Sequence, residues 1–118
     1  MRVLVCGGRD YKDEELVYKT LDAVLAKYGD VLVIIHGSAT GADEIAEKWA
    51  KYRHVEYIGV PAKWGEHRHA AGPIRNKRMR DKYKPDACIA FRGDKGTRGM
   101  IALMREIAIE PWLVGWNG

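Results

Sequence analysis

The hydrophobic positions of the chain form short continuous runs that alternate with stretches of helical spacing. The apolar runs lie at residues 2–6, 31–35, 55–60, 87–91 and 112–114. Continuous runs of this length are typical of strands that are covered on both faces of a sheet. Between the runs, apolar residues recur at steps of three and four and end at helix stops such as Gly29. The pattern predicts five strands that alternate with four helices.

This alternation predicts a single α/β domain over residues 1–118. Strands that alternate with helices favour a parallel sheet with helices on both faces and right-handed crossovers, which is a Rossmann-like, three-layer arrangement. A chain of this length fits one domain. Residues 62–72 show no period, so we expect a loop there.

The four tryptophans lie in different parts of this pattern. Trp49 and Trp112 belong to a predicted helix and a predicted strand, and we expect both in the core. Trp64 lies in the expected loop, where it either packs into the core or stacks on a ligand. Trp116 lies in a glycine-rich end, and its expected exposure predicts a contact between subunits.

Strands one, two and four of the predicted sheet all end in loops that contain glycine. These loops are residues 7–10, 36–43 and 93–97. In parallel sheets, ligands bind beyond the carboxyl ends of the strands, where the strand order reverses. Glycines let backbone N–H groups approach an anion, and a helix start adds free donors and a positive dipole. The loops therefore predict a phosphate site, although turn formation and helix capping by Thr97 would also explain them.

Several side chains near these loops are candidates for ligand contact. Arg9 can bind a phosphate and Asp10 a ribose hydroxyl, or the two can pair with each other or cap a helix. His36 can bond a ligand or the backbone, and Asp43 can contact a ligand or the helix dipole. Arg75 is the strongest candidate, because a cation at a helix start suggests that an anion compensates it.

Composition narrows the class of protein. The chain is 47% apolar and 31% charged, which is ordinary for a globular protein, and no apolar run approaches the ~20 residues of a membrane span. The amino terminus leads directly into a strand, so we expect a cytoplasmic protein. Cys6 and Cys88 lie in apolar strands, where free thiols behave as small hydrophobic groups. Clustered metal ligands do not occur, so no metal site and no cofactor is predicted.

The basic residues are concentrated in one segment. The net charge is +4, yet residues 63–84 alone carry eight Lys and Arg against Glu66 and Asp81. This local excess indicates an anionic ligand near the segment. A small multiply charged molecule and a single-stranded nucleic acid are both compatible with it, and the few aromatic residues there favour the small molecule.

Four separated motifs resemble one family. They are GGRDY at residues 7–11, HGSATGAD at 36–43, AGPIRNKRM at 71–79 and AFRGDKGT at 90–97. Their order and spacing resemble the small branch, related to YspA and YpsA, of the SLOG superfamily, which is named for the Smf/DprA and Lonely Guy proteins. The resemblance implies a Rossmann-like sheet whose cleft binds nucleotides or nucleotide-derived molecules. Superfamily members include phosphoribohydrolases, sensors of nucleotide signals and DNA-binding proteins, and association into homo-oligomers is plausible among them.

The sequence departs from the Lonely Guy enzymes in the residues that resemble their active site. Arg75 and Met79 match an arginine and a methionine of those enzymes. Asn76 replaces a lysine, Asp94 replaces a glycine, and Met100 stands where the enzymes have a glutamate. A carboxylate stabilises the oxocarbenium-like state of N-glycosidic cleavage, and methionine cannot.

We therefore expect binding of a nucleotide-derived ligand, for sensing or sequestration. Hydrolysis of nucleoside monophosphates is the alternative, with Asp10, Asp43 or Asp94 in place of the missing glutamate. Single-stranded nucleic-acid binding is a further alternative. The residues predicted to bind the nucleotide are Gly7, Gly8, Arg9, Asp10, His36, Gly37, Asp43, Arg75, Asn76, Gly93, Gly96 and Thr97.

Overall fold

The computed structural model describes residues 1–116 and contains one sheet of five parallel strands. The strands are β1 (Arg2–Cys6), β2 (Val33–His36), β3 (Glu56–Gly59), β4 (Ala87–Phe91) and β5 (Trp112–Val114). The α-helices are α1 (Glu14–Tyr28), α2 (Ala42–Arg53), α3 (Trp64–His67), α4 (Ala71–Tyr83) and α5 (Lys95–Glu106). This architecture confirms the predicted Rossmann-like α/β fold. None of the helices in residues 1–116 has both the length and the apolar character to cross a bilayer.

Helices cover both faces of the sheet and divide the core into two clusters. On one face, Leu21 of α1 and Trp49 of α2 are fully buried against the strands. On the other face, Met79 of α4 packs with Met100 and Met104 of α5. Burial of these apolar helix faces removes large areas from water and stabilises the three layers.

Strand β1 is the centre of the sheet, whose order is β3-β2-β1-β4-β5. It pairs with β2 on one side and with β4 on the other. Its residues Val3, Leu4 and Val5 are almost completely buried, which explains the continuous apolar run in the sequence. The chain adds β2 and β3 on one side and then crosses to the other side for β4. The loops after β1 and β4 therefore diverge, and parallel sheets bind ligands at such a point.

Three predicted element boundaries differ from the structure. Strand β2 begins at Val33, because Gly29–Val31 forms a 3₁₀ turn that leaves Val31 exposed. The expected loop at 62–72 contains α3 and a second 3₁₀ turn. Helix α5 begins at Lys95, so Thr97 lies inside its first turn and does not cap it. Such short turns have too few residues to show a period in the sequence.

The tryptophan predictions are partly wrong. Trp49 is fully buried as predicted, whereas Trp112 is 51% exposed because β5 is an edge strand. Trp64 is exposed as well, so it is not a core residue. Trp116 is half-buried, and its indole Nε1 donates a hydrogen bond to Ala90 O at 2.8 Å. The exposure on which its prediction as a subunit contact rested is therefore absent.

Backbone hydrogen bonds hold the loop after β1 between two neighbouring loops. Gly8 N donates to Arg92 O at 2.9 Å, beyond the end of β4. Gly8 O accepts a hydrogen bond from Ala42 N at 3.1 Å, at the start of α2. The Thr40 hydroxyl also donates to Arg9 O at 2.9 Å. These bonds fix the loops that follow β1, β2 and β4 relative to one another.

Glycines allow this close approach. At Gly7, a Cβ would lie 2.6 Å from the Ala42 Cβ and 3.0 Å from the Phe91 Cβ. Gly41 has a φ of +77°, and a Cβ there would collide with the Gly8 carbonyl oxygen. Any other residue at these positions would separate the loops or force the backbone to shift.

Gly41→Ala is expected to destabilise the protein by more than ~3 kcal/mol, since it adds a collision to the strain of a positive φ. Gly29→Ala is the matched control, because Gly29 also has a positive φ, of +59°, but nothing lies within 4 Å of its added Cβ. We expect that control to lose only about 1–3 kcal/mol from backbone strain. Urea unfolding measures both values. Equal losses in the two variants would contradict the proposed packing of the loops.

Candidate functional site

A cleft of about 900 Å³ opens beyond the carboxyl ends of β1 and β4. Nine of the twelve predicted site residues line it: Gly7, Gly8, Arg9, Asp10, Asp43, Arg75, Asn76, Gly96 and Thr97. The structure thus brings together residues from the loops after β1, β2 and β4 and from α4. In particular, Arg75 and Gly96 lie on the same cleft although they come from different helices.

The start of α5 supplies backbone donors to the cleft. Asp94 occupies the N-cap position but makes no side-chain capping bond, and the amide of Arg98 bonds to Asp94 O at 2.9 Å. The amides of Lys95, Gly96 and Thr97 precede this bond and have no acceptor within the helix. All three residues line the cleft. The positive end of a helix dipole adds to these donors, so this end of the cleft suits an anion.

Gly93 supports the α5 start without lining the cleft. A Cβ at Gly93 would lie 2.8 Å from Gly8 N and 2.8 Å from the Thr97 Cβ. The absence of a side chain therefore lets the loop after β4 pack against the loop after β1. Gly93 therefore sets the position of the amides at the start of α5.

Arg75 projects from α4 and is held by two acceptors. Its Nη1 donates to Gly37 O, and its Nε donates to Asn76 Oδ1 at 2.9 Å. Gly37 is required here, because a Cβ would lie 2.7 Å from the Arg75 Cζ. Burial lowers the pKa of Arg75, and the nearby Asp43 acts in the opposite direction. A bound anion would raise the pKa of Arg75 as Asp43 does, so an anionic ligand would stabilise the charged guanidinium.

Asp43 is a nearly buried carboxylate in the first turn of α2. Its side chain lines the cleft although the residue is only 6% exposed. Oδ2 accepts hydrogen bonds from Gly37 N at 3.1 Å and from Ala39 N at 3.3 Å. Burial raises the pKa of Asp43 to about 6, and the Ala39 amide and Arg75 only partly oppose this shift. Gly37 thus contacts both groups, since its amide donates to the carboxylate and its carbonyl accepts from the guanidinium.

The mouth of the cleft carries an exposed aromatic side chain. The Arg9 guanidinium lies 4.8 Å from the centre of the Trp64 ring, a cation–π contact between the β1 loop and α3. His69 also lines the cleft. The short helix α3, which was expected to be a loop, therefore contributes to the site.

The floor of the cleft is apolar. Val5, Cys6, Met79, Met100 and Leu103 contribute to it. A hydrogen bond with Cys88 and burial raise the pKa of Cys6, so its thiol stays protonated and is a poor nucleophile. Flat or apolar parts of a ligand can pack on such a floor.

Comparison with known sequences decides the family. A sequence profile described as the YspA, cpYpsA-related SLOG family (YAcAr) matches residues 1–67, which is more than half of the chain. The chain belongs to this SLOG family. The Gene 61 protein of Mycobacterium phage D29 is 38% identical over 95 residues, which cover 76% of this chain and 75% of the phage protein. The resemblance to this family is confirmed, and the profile match includes the motifs at residues 7–11 and 36–43.

His36 occupies a structural position in this SLOG protein and does not line the cleft. Its Nδ1 accepts a hydrogen bond from Ser38 N at 2.9 Å, and its Nε2 lies 3.0 Å from Glu47 Oε1. The ring stacks on Tyr57, and burial lowers the pKa of the imidazole. These contacts fit the alternative in which His36 bonds to the backbone and shapes the loop after β2.

The basic segment of the SLOG chain is spread over several surfaces. Of its eight cations, Arg75 and Lys77 line the cleft, whereas Arg80 pairs with Asp81 at 2.6 Å and reaches Glu106 at 3.4 Å. The lining of the cleft combines four cations with three carboxylates: Arg9, Arg75, Lys77, Lys95, Asp10, Asp43 and Asp94. The local charge excess therefore overstates the positive charge of the cleft.

Within residues 1–116, no three His, Cys, Asp or Glu side chains are placed to hold a metal ion.

Some lining residues were absent from the predicted set. Lys95 and Lys77 have a signal in the sequence, since each lies within two residues of a predicted site residue. Trp64 was weighed for base stacking, but nothing in its own neighbourhood decided between stacking and the core. Helical spacing identifies the inward helix faces that carry Met79, Met100 and Leu103. It does not show that these residues line a cleft.

The pKa of Asp43 makes the free energy of unfolding depend on pH. The folded value is about 6, whereas an unfolded chain has a value of about 3.9. The folded state binds this proton more tightly, so the stabilisation is complete below about pH 4 and is lost as the pH rises through about 6.

We therefore expect Asp43 to lower the unfolding free energy by on the order of 2–3 kcal/mol as the pH rises across this window. Urea unfolding of the wild type and of Asp43→Asn at several pH values measures the effect, because all other titrating groups cancel in the difference. Parallel pH profiles for the two proteins would show that the carboxyl keeps an ordinary pKa.

Proposed function

We propose that this SLOG protein binds a nucleotide or a nucleotide-derived molecule in the cleft, for sensing or sequestration. The observation that supports this most is that the first turn of α5 and the Arg75 guanidinium share one cleft. Backbone amides at Gly96 and Thr97 would bind a phosphate, and Arg75 would balance its charge. Family membership supports the same class of ligand.

The size and the lining of the cleft fit a ligand of this kind. Its volume of about 900 Å³ lies within the roughly 300–1,000 Å³ of small-molecule sites. The apolar floor can hold a base or another flat group, while the polar residues lie around the glycine loops. The exposed ring of Trp64 offers a second surface for stacking at the mouth.

Hydrolysis of a nucleoside monophosphate is the second candidate function. The observation that favours it is that three carboxylates, Asp10, Asp43 and Asp94, line the cleft. Met100, which stands where the Lonely Guy enzymes have a glutamate, lines it as well. A carboxylate can stabilise an oxocarbenium-like state if it lies beside the sugar. The buried Asp43 is the best placed of the three, because water competes least for it.

Arg75→Ala is expected to weaken binding of phosphate-bearing ligands by roughly 10- to 100-fold, the range for hydrogen bonds to charged groups. Isothermal titration calorimetry with ribonucleoside monophosphates and ADP-ribose measures this. Arg78→Ala is the matched control, since it removes the same charge from an exposed position of the same helix that does not line the cleft. Unchanged affinity in Arg75→Ala would contradict the proposed site.

Chromatography of the same mixtures separates binding from hydrolysis. We expect the nucleotides to remain intact, which supports a binding protein. Release of free base by the wild type, and its loss in Asp43→Asn, would instead support the hydrolase. Mass spectrometry of any small molecule released when the protein is denatured identifies the natural ligand directly.

A further inference from the structure

The carboxylate of Asp43 has one oxygen that the protein does not use. Both hydrogen bonds that the described residues give this side chain end on Oδ2, from the amides of Gly37 and Ala39. Oδ1 remains available as an acceptor on a residue that is 6% exposed and lines the cleft. Oδ1 is itself accessible to solvent, so a donor on a ligand in the cleft can reach it and pair with it.

The neighbouring arginine does not fill this role. Arg75 donates to Gly37 O and to Asn76 Oδ1 and makes no hydrogen bond to the Asp43 carboxylate. Both side chains lie next to Gly37. The carboxylate is a hydrogen-bond acceptor and the guanidinium is a cation, and the two lie close together. A matching ligand carries a hydrogen-bond donor close to an anionic group.

We propose that Asp43 accepts a hydrogen bond from a ribose hydroxyl, so that the cleft selects ribose phosphates over their deoxyribose analogues. The inference rests on the proposed function and names the sugar that the same site recognises. A phosphate itself is excluded from Oδ1, because two negative groups would repel each other in a site with little water.

The charges around Asp43 favour a neutral donor over a cationic one. Arg9 and Arg75 both act on the carboxylate electrostatically. An amine or ammonium group at Oδ1 would therefore meet two guanidinium groups, whereas a hydroxyl satisfies the oxygen without adding a charge. A sugar next to a phosphate meets these requirements, with the phosphate at Arg75 and the start of α5.

Asp10 had been the candidate for the ribose in the sequence, and the structure makes Asp43 the better one. Asp10 is exposed and lies over Gly8, where its Oδ1 would be 3.1 Å from a Cβ on that glycine. A hydrogen bond to an exposed carboxylate is offset by the loss of its bonds to water. Asp43 is only 6% exposed, so bonds to water offset its bond to a ligand hydroxyl less than at Asp10, and this gives stronger discrimination.

Calorimetric titrations with two matched sets of probes test the inference. The first set is ribose 5-phosphate and 2-deoxyribose 5-phosphate, and the second is AMP with its 2′-deoxy and 3′-deoxy analogues. We expect the wild type to bind the ribose compounds roughly 10- to 100-fold more tightly than an analogue without the recognised hydroxyl. Asp43→Asn should lose most of this preference, since its one oxygen accepts from the Gly37 and Ala39 amides and an NH₂ donor replaces the free acceptor.

Glu44→Gln is the matched control, because it removes one carboxylate from the next position of α2, where the side chain is exposed and lies outside the cleft. It should keep the full preference. Equal binding of the ribose and deoxyribose compounds by the wild type would overturn the inference and leave phosphate binding intact. The same preference in Asp43→Asn, with its fold verified by circular dichroism, would also overturn it. If the wild type binds none of these phosphates, the proposed function itself fails.

Discussion

The peptide units around Gly8 are the constraint on which the site depends. Gly8 donates a hydrogen bond to the loop after β4 and accepts one from the start of α2, so one residue connects both sides of the sheet centre. The backbones must approach each other closely to form these bonds, and a side chain at Gly7 or Gly41 would prevent this approach. Because buried backbone groups must be paired, the loops cannot separate without leaving donors and acceptors unsatisfied. The cleft is therefore a consequence of how the loops pack.

The two halves of the chain contribute different properties to this cleft. Residues 1–67, which match the family profile, supply the glycine loop after β1 and the carboxylate of Asp43. Residues beyond 67 supply Arg75 from α4 and the backbone donors of α5. The crossover from β3 to β4 brings these halves to adjacent strands, because β4 pairs directly with β1. A cation and a carboxylate far apart in sequence thus flank a single glycine, Gly37.

Much of this could be predicted from the sequence, because parallel strands in a three-layer fold leave a strong hydrophobic pattern. That pattern located all five strands, and strand-end glycines indicated the cleft. It could not show that β5 and β3 are edge strands, since strand order depends on contacts between distant segments, and so Trp112 was wrongly assigned to the core. It also could not separate His36, which bonds to its own loop, from Asp43, which lines the cleft. His36 ends β2 and Asp43 begins the helix after it, and only the path of the loop between them decides which side chain reaches the cleft.

The buried carboxylate of Asp43 distinguishes this site from a loop that binds only phosphate. A protein that bound only phosphate would gain from replacing this carboxylate, which burial disfavours in its charged form. Two backbone amides hold the carboxylate in place, although a neutral side chain with one oxygen could also accept from them. The free energy lost by keeping the charge is therefore recovered only in part within the chain. A ligand that donates to the remaining oxygen recovers part of it, and this links the stability of the loop to occupation of the cleft.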